Sequence, residues 1–249
     1  LNDFLADWER WRLAECFGRP EDYFAQCIRK MAGQRLLGLN AIRANPNLVG
    51  YNLTGTVDQG MTGEGLFTTW RELKPGTTDA LFDGLAPLRW CLFAEPLNLY
   101  RGNPVKLEAI LANEDALLLG EYPVRLHVFD ANNQLVWSGQ TNVVIRNRKT
   151  ESEPPLALPV FADDVVINGP AGKYRFVAAL ERGGAPAGGE AEFYVADPAT
   201  MPRVDAEIVL WGSGAELSHW LEAHGIRSRA FSSAEPTARE VILAAQEPQ

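Results

Sequence analysis

Two hydrophobic periods divide this chain. Over residues 1–47 apolar side chains recur at spacings of three and four: Phe4, Leu5, Trp8, Trp11 and Leu13, then Phe24, Cys27, Ile28 and Met31. Such spacing predicts amphipathic helices, one ending at Gly18-Arg-Pro20 and a second running from Pro20 through Leu36, Leu39 and Ile42. Pro20 suits a first helical turn, and Glu21 and Asp22 stand where carboxylates favour a helix N-terminus. Asn45-Pro-Asn47 stops the helix; Leu48 to Leu53 is short and apolar enough for a buried strand, and a Gly-rich stretch from Gly55 to Gly65 follows. Asp79 to Leu85 reads as one more short helix.

From about Pro87 the period becomes two. Val105, Leu107, Ala109 and Leu111 alternate with Lys106, Glu108 and Ile110, and Val124, Leu126 and Val128 with Arg125 and His127. Asp130-Ala-Asn-Asn133 predicts a hairpin turn into Leu135-Val-Trp137, after which Val143-Val-Ile145 forms a further run. Beyond Glu153-Pro-Pro155, Tyr174, Phe176, Ala178 and Leu180 alternate, and Glu190 to Val195 closes the series. Six or seven short strands with turn signals between them predict an antiparallel β-sandwich over 87–197. Asp197 to Pro202 reads as a linker, followed by strand (Ala206–Trp211), turn, helix (Ala215–His224) and two strands (Ile226–Phe231, Glu240–Ala244). That order predicts the start of a doubly wound α/β domain over 198–249, which resembles the start of a glutamine-amidotransferase-like or flavodoxin-like domain. Leu1 leading straight into helical periodicity, and a last strand near the other end, read as the ends of a fragment.

Composition narrows the function classes. Of 249 residues, 46% are apolar and 22% charged, a globular balance. With 23 Lys and Arg against 32 Asp and Glu the net charge is −9, which argues against a nucleic-acid partner, whose phosphates require clustered cations. The densest basic stretch, Arg146-Asn-Arg-Lys149, is followed by Glu151 and Glu153 and reads as a solvated turn. No apolar run is long enough to span a membrane. Cys16, Cys27 and Cys91 fit neither a disulfide framework nor a zinc pattern and read as buried thiols. The sequon Asn52-Leu-Thr54 falls in an apolar run and is not read as glycosylated.

The motifs that first suggest chemistry are weak. Gly212-Ser-Gly214 lacks a third glycine, since Leu217 stands there, and no acidic residue ends the next strand; a tight turn accounts for it. His127, His219 and His224 form no ligand spacing and no catalytic arrangement, so no metal and no cofactor is expected.

The informative passage is Val49-Gly-Tyr-Asn-Leu-Thr-Gly-Thr-Val-Asp-Gln-Gly60. Along an extended chain Asn52, Thr54 and Thr56 share one parity and Val49, Tyr51 and Leu53 the other. In a parallel barrel the apolar set would face surrounding helices and the polar set the interior and its C-terminal mouth. A strand that merely ends in a polar turn, with Asp58 capping it, is the alternative. This passage resembles the final barrel strand of family 2 glycoside hydrolases, the β-galactosidase and β-glucuronidase group, which typically reads Gly-Gly-Phe-(apolar)-Trp-Asp-Trp-Val-Asp-Gln. The family continues into an Ig-like sandwich, and Leu99 to Glu108, Ala112 to Asp115 and Tyr122 to Val128 fit that order.

The resemblance, which covers about residues 20–196, implies that 1–86 is the C-terminal part of a (β/α)8 barrel, with Asn52, Thr54, Asp58 and Gln59 lining a carbohydrate site. Two departures qualify it. Thr54 and Thr56 replace the family's tryptophans. The catalytic carboxylates, at the ends of the fourth and seventh strands, would lie upstream of Leu1, so no catalytic residue is carried over and the chain alone is expected to be inactive. Implied is a retaining mechanism on a β-linked sugar, its two carboxylates about 5–5.5 Å apart. The competing class is a non-catalytic Ig-like module that binds carbohydrate or protein, with Trp90 and Trp137 as sugar platforms, although their apolar neighbours favour core packing. A barrel repurposed with its sugar chemistry lost is a third reading, to which Thr54 and Thr56 point. No pattern assigns the sugar, the compartment or the oligomeric state.

Overall fold

A computed structural model of the chain describes residues 2–48, 50–60, 63–146, 156–212, 215–232 and 241–244. It divides into two compact units, Leu1–Asp197 and Pro198–Gln249. The described residues form a mixed α/β protein dominated by strands.

The first unit opens with helices α1 (Asn2–Arg10), α2 (Ala14–Phe17), α3 (Pro20–Ala44) and, after a long loop, α4 (Thr77–Gly84). Pro20 takes the first position of α3, and Asp22 reaches back to the Arg19 amide at 3.3 Å, closing a capping box. The Arg19 guanidinium, 3.1 Å away, holds the Asp22 carboxyl below the usual carboxylate range. Phe4, Trp8, Phe17, Tyr23 and Phe24 pack as a chain of rings with centroids 5.0–6.3 Å apart, tying α1 and α2 onto the start of α3. Helix α4 crosses α3 closely because Gly84 has no side chain: a Cβ there would lie 2.2 Å from Leu39 Cδ1.

The sandwich follows as β1 (Leu88–Glu95), β2 (Asn98–Tyr100), β3 (Pro104–Asn113), β4 (Gly120–Phe129), β5 (Leu135–Ile145), β6 (Ala157–Val166), β7 (Gly172–Leu180) and β8 (Glu190–Ala196). One sheet has the order β1-β3-β6 and the other β2-β8-β7-β4-β5. Every pairing is antiparallel except β2 with β8. Alternation explains the core. Val105, Leu107, Ala109 and Leu111 of β3 are fully buried, as are Val124, Leu126 and Val128 of β4 and Tyr174 and Phe176 of β7. The predicted hairpin stands at Asp130, whose Oδ1 accepts the Asn132 and Gln134 amides at 2.8 Å, while Asn133 takes a left-handed φ of 60°.

Strand β1 is buried on both faces. Trp90 and Leu92 enter the sandwich core, whereas Arg89 turns to the helices and donates to Asn40 of α3 at 3.1 Å and to the Asp83 carboxylate of α4 at 2.9 Å. Arg43 of α3 donates to the Gly84 and Ala86 carbonyls, each at 3.1 Å, and pairs with Glu114 at 2.9 Å. These two arginines fasten the helical layer to the sandwich.

Several expectations are corrected. Residues 50–56 pair with no strand, and nearby only the isolated bridges Val57↔Phe67 and Phe67↔Leu73 occur, so the buried strand read at 48–53 is in its described part an unpaired segment, exposed except at half-buried Leu53; no barrel is present among the described residues. Asn52 of the sequon lies on this exposed segment. Cys16 and Cys27 are exposed and only Cys91 is buried, its thiol pushed up by that burial. The runs at 135–137 and 143–145 belong to one 11-residue strand. Strand β6 was not legible, because Pro159, an irregularity opposite Ala109/Ile110 and Asp163-Asp164 interrupt its alternation. Residues 147–149 of the basic stretch lie outside the described residues.

The second unit holds β9 (Ile208–Trp211), α5 (Ala215–Ala223), β10 (Ser228–Ala230) and β11 (Val241–Ala244), a parallel sheet in the order β10-β9-β11. Its small core joins Ile208, Leu210 and Leu221. Ser213 and Gly214 of the Gly-Ser-Gly turn lie outside the described residues.

Candidate functional site

After α3, Asn45 Oδ1 accepts the Asn47 amide at 2.9 Å and closes a turn. In the segment that follows, Leu53, Gly55 and Val57 are half-buried and Asn52, Thr54 and Thr56 exposed; Tyr51, read with the apolar parity, is exposed as well, and Val49 lies outside the described residues. The chain then folds back on itself. Leu66 and Phe67 donate amides to the Thr56 carbonyl at 2.9 and 3.1 Å, Asp58 donates its amide to the Phe67 carbonyl at 2.9 Å, and Lys74 donates its amide to Leu66 at 2.9 Å.

Asp58 lies at the centre of this fold-back. Its Oδ1 accepts the Gly65 amide and the Lys74 ammonium, each at 2.8 Å, and its Oδ2 lies 2.7 Å from the same ammonium. Lys74 also donates to the Gly63 carbonyl at 2.7 Å. The side chains are 15% and 6% exposed, so the pair is largely removed from water, where mutual compensation is what makes burial tolerable. Gly65 is required, because a Cβ would fall 2.6 Å from the Asp58 nitrogen and 2.8 Å from its Oδ1. With an ammonium and an amide on its oxygens, Asp58 is suited to holding the loop rather than to taking a proton from a substrate.

Of the four residues expected to line a sugar site, Asn52, Thr54 and Gln59 are exposed, while Asp58 is engaged inside the loop. Lys74 was not singled out in the sequence; the one available signal is a lysine between Leu73 and Pro75 at the approach to α4, in need of an anionic partner. Beside the pair lies a cavity of about 580 Å³ bounded by Phe24, Cys27, Ile28 and Met31 of α3 and by Trp70. Among the described residues no group of three or more His, Cys, Asp or Glu could hold a metal ion. No described helix is long and apolar enough to cross a membrane.

Trp90 has no accessible surface, and Trp137 is half-buried with its ring 5.5 Å from that of Phe161. Both pack into the sandwich, as their neighbours suggested.

No family model and no curated protein matches the chain. Among solved structures, trypsin-activated α2-macroglobulin from Escherichia coli is similar over 44% of this chain and 7% of its own length, at 18% identity and a TM-score of 0.31. A glycosyl hydrolase family 2 member from Bacteroides cellulosilyticus is similar over 43% of this chain and 15% of its own, at 15% identity and a TM-score of 0.30. The CARDB domain of the PF1109 protein from Pyrococcus furiosus, in complex with di-metal ions, matches over 44% of this chain and 86% of its own, at 14% identity and a TM-score of 0.29. Likenesses this low assign no activity to the chain.

Proposed function

We propose that this chain is the C-terminal portion of a retaining glycoside hydrolase acting on a β-linked sugar. In this reading residues 1–86 are the C-terminal part of a (β/α)8 barrel, 87–197 its buttressing Ig-like sandwich, and 198–249 the start of an appended α/β domain. The observation that carries it is the passage from α3 to α4: a helix, an extended segment with Asn52 and Thr54 outward and Leu53 and Val57 inward, a Val-Asp-Gln-Gly turn, and a second helix fastened to a sandwich. Asn52, Thr54 and Gln59 would face the sugar, and Asp58 would shape the mouth by locking the loop to Lys74. The catalytic pair comes from upstream: one carboxylate attacks the anomeric carbon while the other protonates the leaving oxygen, then activates water to release the sugar. The non-catalytic sandwich module has lost its best platform, since a ring without accessible surface cannot stack on a sugar.

The test is to read the coding sequence upstream of the Leu1 codon and assay the longest product on aryl β-glycosides. Several hundred further residues with strand-like runs ending in two carboxylates, and hydrolysis with retained anomeric configuration, are expected. A start codon within a few residues of Leu1, or a long product without hydrolysis, would overturn the proposal.

A further inference from the structure

The sandwich has four sheet edges, and three of them are protected against pairing with another chain. Strand β1 is covered, because Ala187 accepts the Trp90 amide at 2.8 Å and donates to the Leu88 carbonyl at 3.0 Å. Strand β2 is only three residues long. Strand β6 carries Pro159 and the adjacent charges Asp163 and Asp164. Such devices are how soluble sheets avoid edge-to-edge association.

Strand β5 has none of these; its one irregularity is a bulge at Val136, where Trp137 faces Val128 and Leu135 faces Phe129, outside the Trp137–Val143 stretch. It is the edge of the five-stranded sheet, 11 residues long, and its sequence Leu-Val-Trp-Ser-Gly-Gln-Thr-Asn-Val-Val-Ile contains neither proline nor charge, in a chain of net charge −9. Among the described residues no strand pairs with its outer side. Leu135, Val136 and Val144 are exposed. The order of residue types is moreover a palindrome: three apolar residues at each end, and polar residues or Gly139 from Ser138 to Asn142 around Gln140. An antiparallel copy centred on Gln140 would set Trp137 opposite Val143, Ser138 opposite Asn142, Gly139 opposite Thr141, and Gln140 opposite its own counterpart. Each apolar position then meets an apolar one, and each polar position meets a polar one except Thr141, which meets Gly139; this is the self-complementarity that a two-fold interface requires.

We propose that β5 is a homodimerisation edge, pairing antiparallel with β5 of a second copy of this chain about a two-fold axis at Gln140 and joining two five-stranded sheets into one of ten strands. Main-chain hydrogen bonds supply the adhesion and the palindrome supplies the register. The other partner chemistries, a foreign strand or a sugar, find no equivalent match: a foreign strand would not share the palindrome, and the strand offers no exposed aromatic plate, since Trp137 is packed on Phe161.

The experiment is sedimentation equilibrium of the 249-residue chain up to about 100 μM, because a single-edge interface is expected to be weak. Wild type, Gln140→Lys, Gln140→Glu and an equimolar mixture of the two variants are compared. Gln140 is exposed, so neither substitution disturbs the core, and circular dichroism checks the fold. Wild type is expected to dimerise; each variant alone places like charges opposite one another and weakens dimerisation about ten-fold or more; the mixture sets opposite charges together and restores it. A monomeric wild type, a dimer indifferent to both substitutions, or a mixture no more associated than either variant would each overturn the proposal.

Discussion

The helical layer and the sandwich belong to one compact unit, yet they meet water on different terms. In the sandwich, alternation along β3, β4 and β7 sends one face of each strand into a shared core, and Trp90, Tyr174 and Phe176 have no accessible surface. In the helical layer Trp8 is buried among its aromatic neighbours, but other large rings stay in the open: Trp70 is 83% exposed and Phe82 85%. A period of two with turn chemistry closes a core from within about a hundred residues. Helices bury their apolar stripes only against other helices or sheets, and here α3 and α4 obtain that support from each other and from the sandwich, through Arg89 of β1 and through Arg43, which reaches Glu114 just after β3. The sandwich therefore carries the helical layer, and the loop with the candidate site hangs on the less protected of the two.

The largest effect that separates the regions comes from one substitution made in each. Trp90→Ala is expected to cost about 3–5 kcal/mol, whereas Trp70→Ala should stay within about 0.5 kcal/mol. Urea denaturation measures both, and equal costs would erase the distinction. Next in size is the loop clasp. Asp58→Ala strands a buried ammonium and is expected to cost about 3 kcal/mol, most of it recovered in the double variant Asp58→Ala/Lys74→Met, where nothing charged is left behind. A double variant as unstable as the single one would mean that the pair does not act as a unit.

A smaller effect is reserved for the sandwich core. Burial raises the Tyr174 phenol above its ordinary value, and its hydroxyl donates to the Pro170 carbonyl at 2.7 Å. Below roughly pH 10 the tyrosine is protonated in both folded and unfolded chains, and its stabilisation is fully present; above that the unfolded chain ionises first and stability falls until the pH passes the folded value. Tyr174→Phe should therefore cost about 1 kcal/mol at neutral pH and flatten the alkaline decline. The least costly probe leaves the fold intact: a thiol reagent should modify Cys16 and Cys27 in the native protein and reach Cys91 only on unfolding. Labelling of Cys91 under native conditions would place β1 outside the closed core.

The two regions were unequally legible for the same physical reason. Strands that bury one face announce themselves by alternation, so β3, β4, β7 and β8 were read within a few residues of their bounds. Strand β5 appeared as two runs because an edge strand buries little at Ser138, Gln140 and Asn142, and polar residues there carry no penalty. Strand β6 was hidden by Pro159 and a shifted register, features that an edge tolerates. In the helical layer the apolar face was equated with burial, which failed at Cys16 and Cys27. The candidate site shows the same limit. The exposure of Asn52 and Thr54 agrees with their polar character but Tyr51 breaks the alternation, and the partnership of Asp58 with Lys74 depends on a loop closing across 16 residues, which no local pattern encodes.

The claim that the sandwich is self-sufficient and carries the helical layer is tested most directly by hydrogen exchange on Arg89→Met. This substitution removes the guanidinium that joins β1 to Asn40 and Asp83. Amides of α4 and of the second half of α3 are expected to lose protection, while those of β3, β4 and β7 keep theirs. Loss of protection in helices and sandwich together, or in neither, would contradict it.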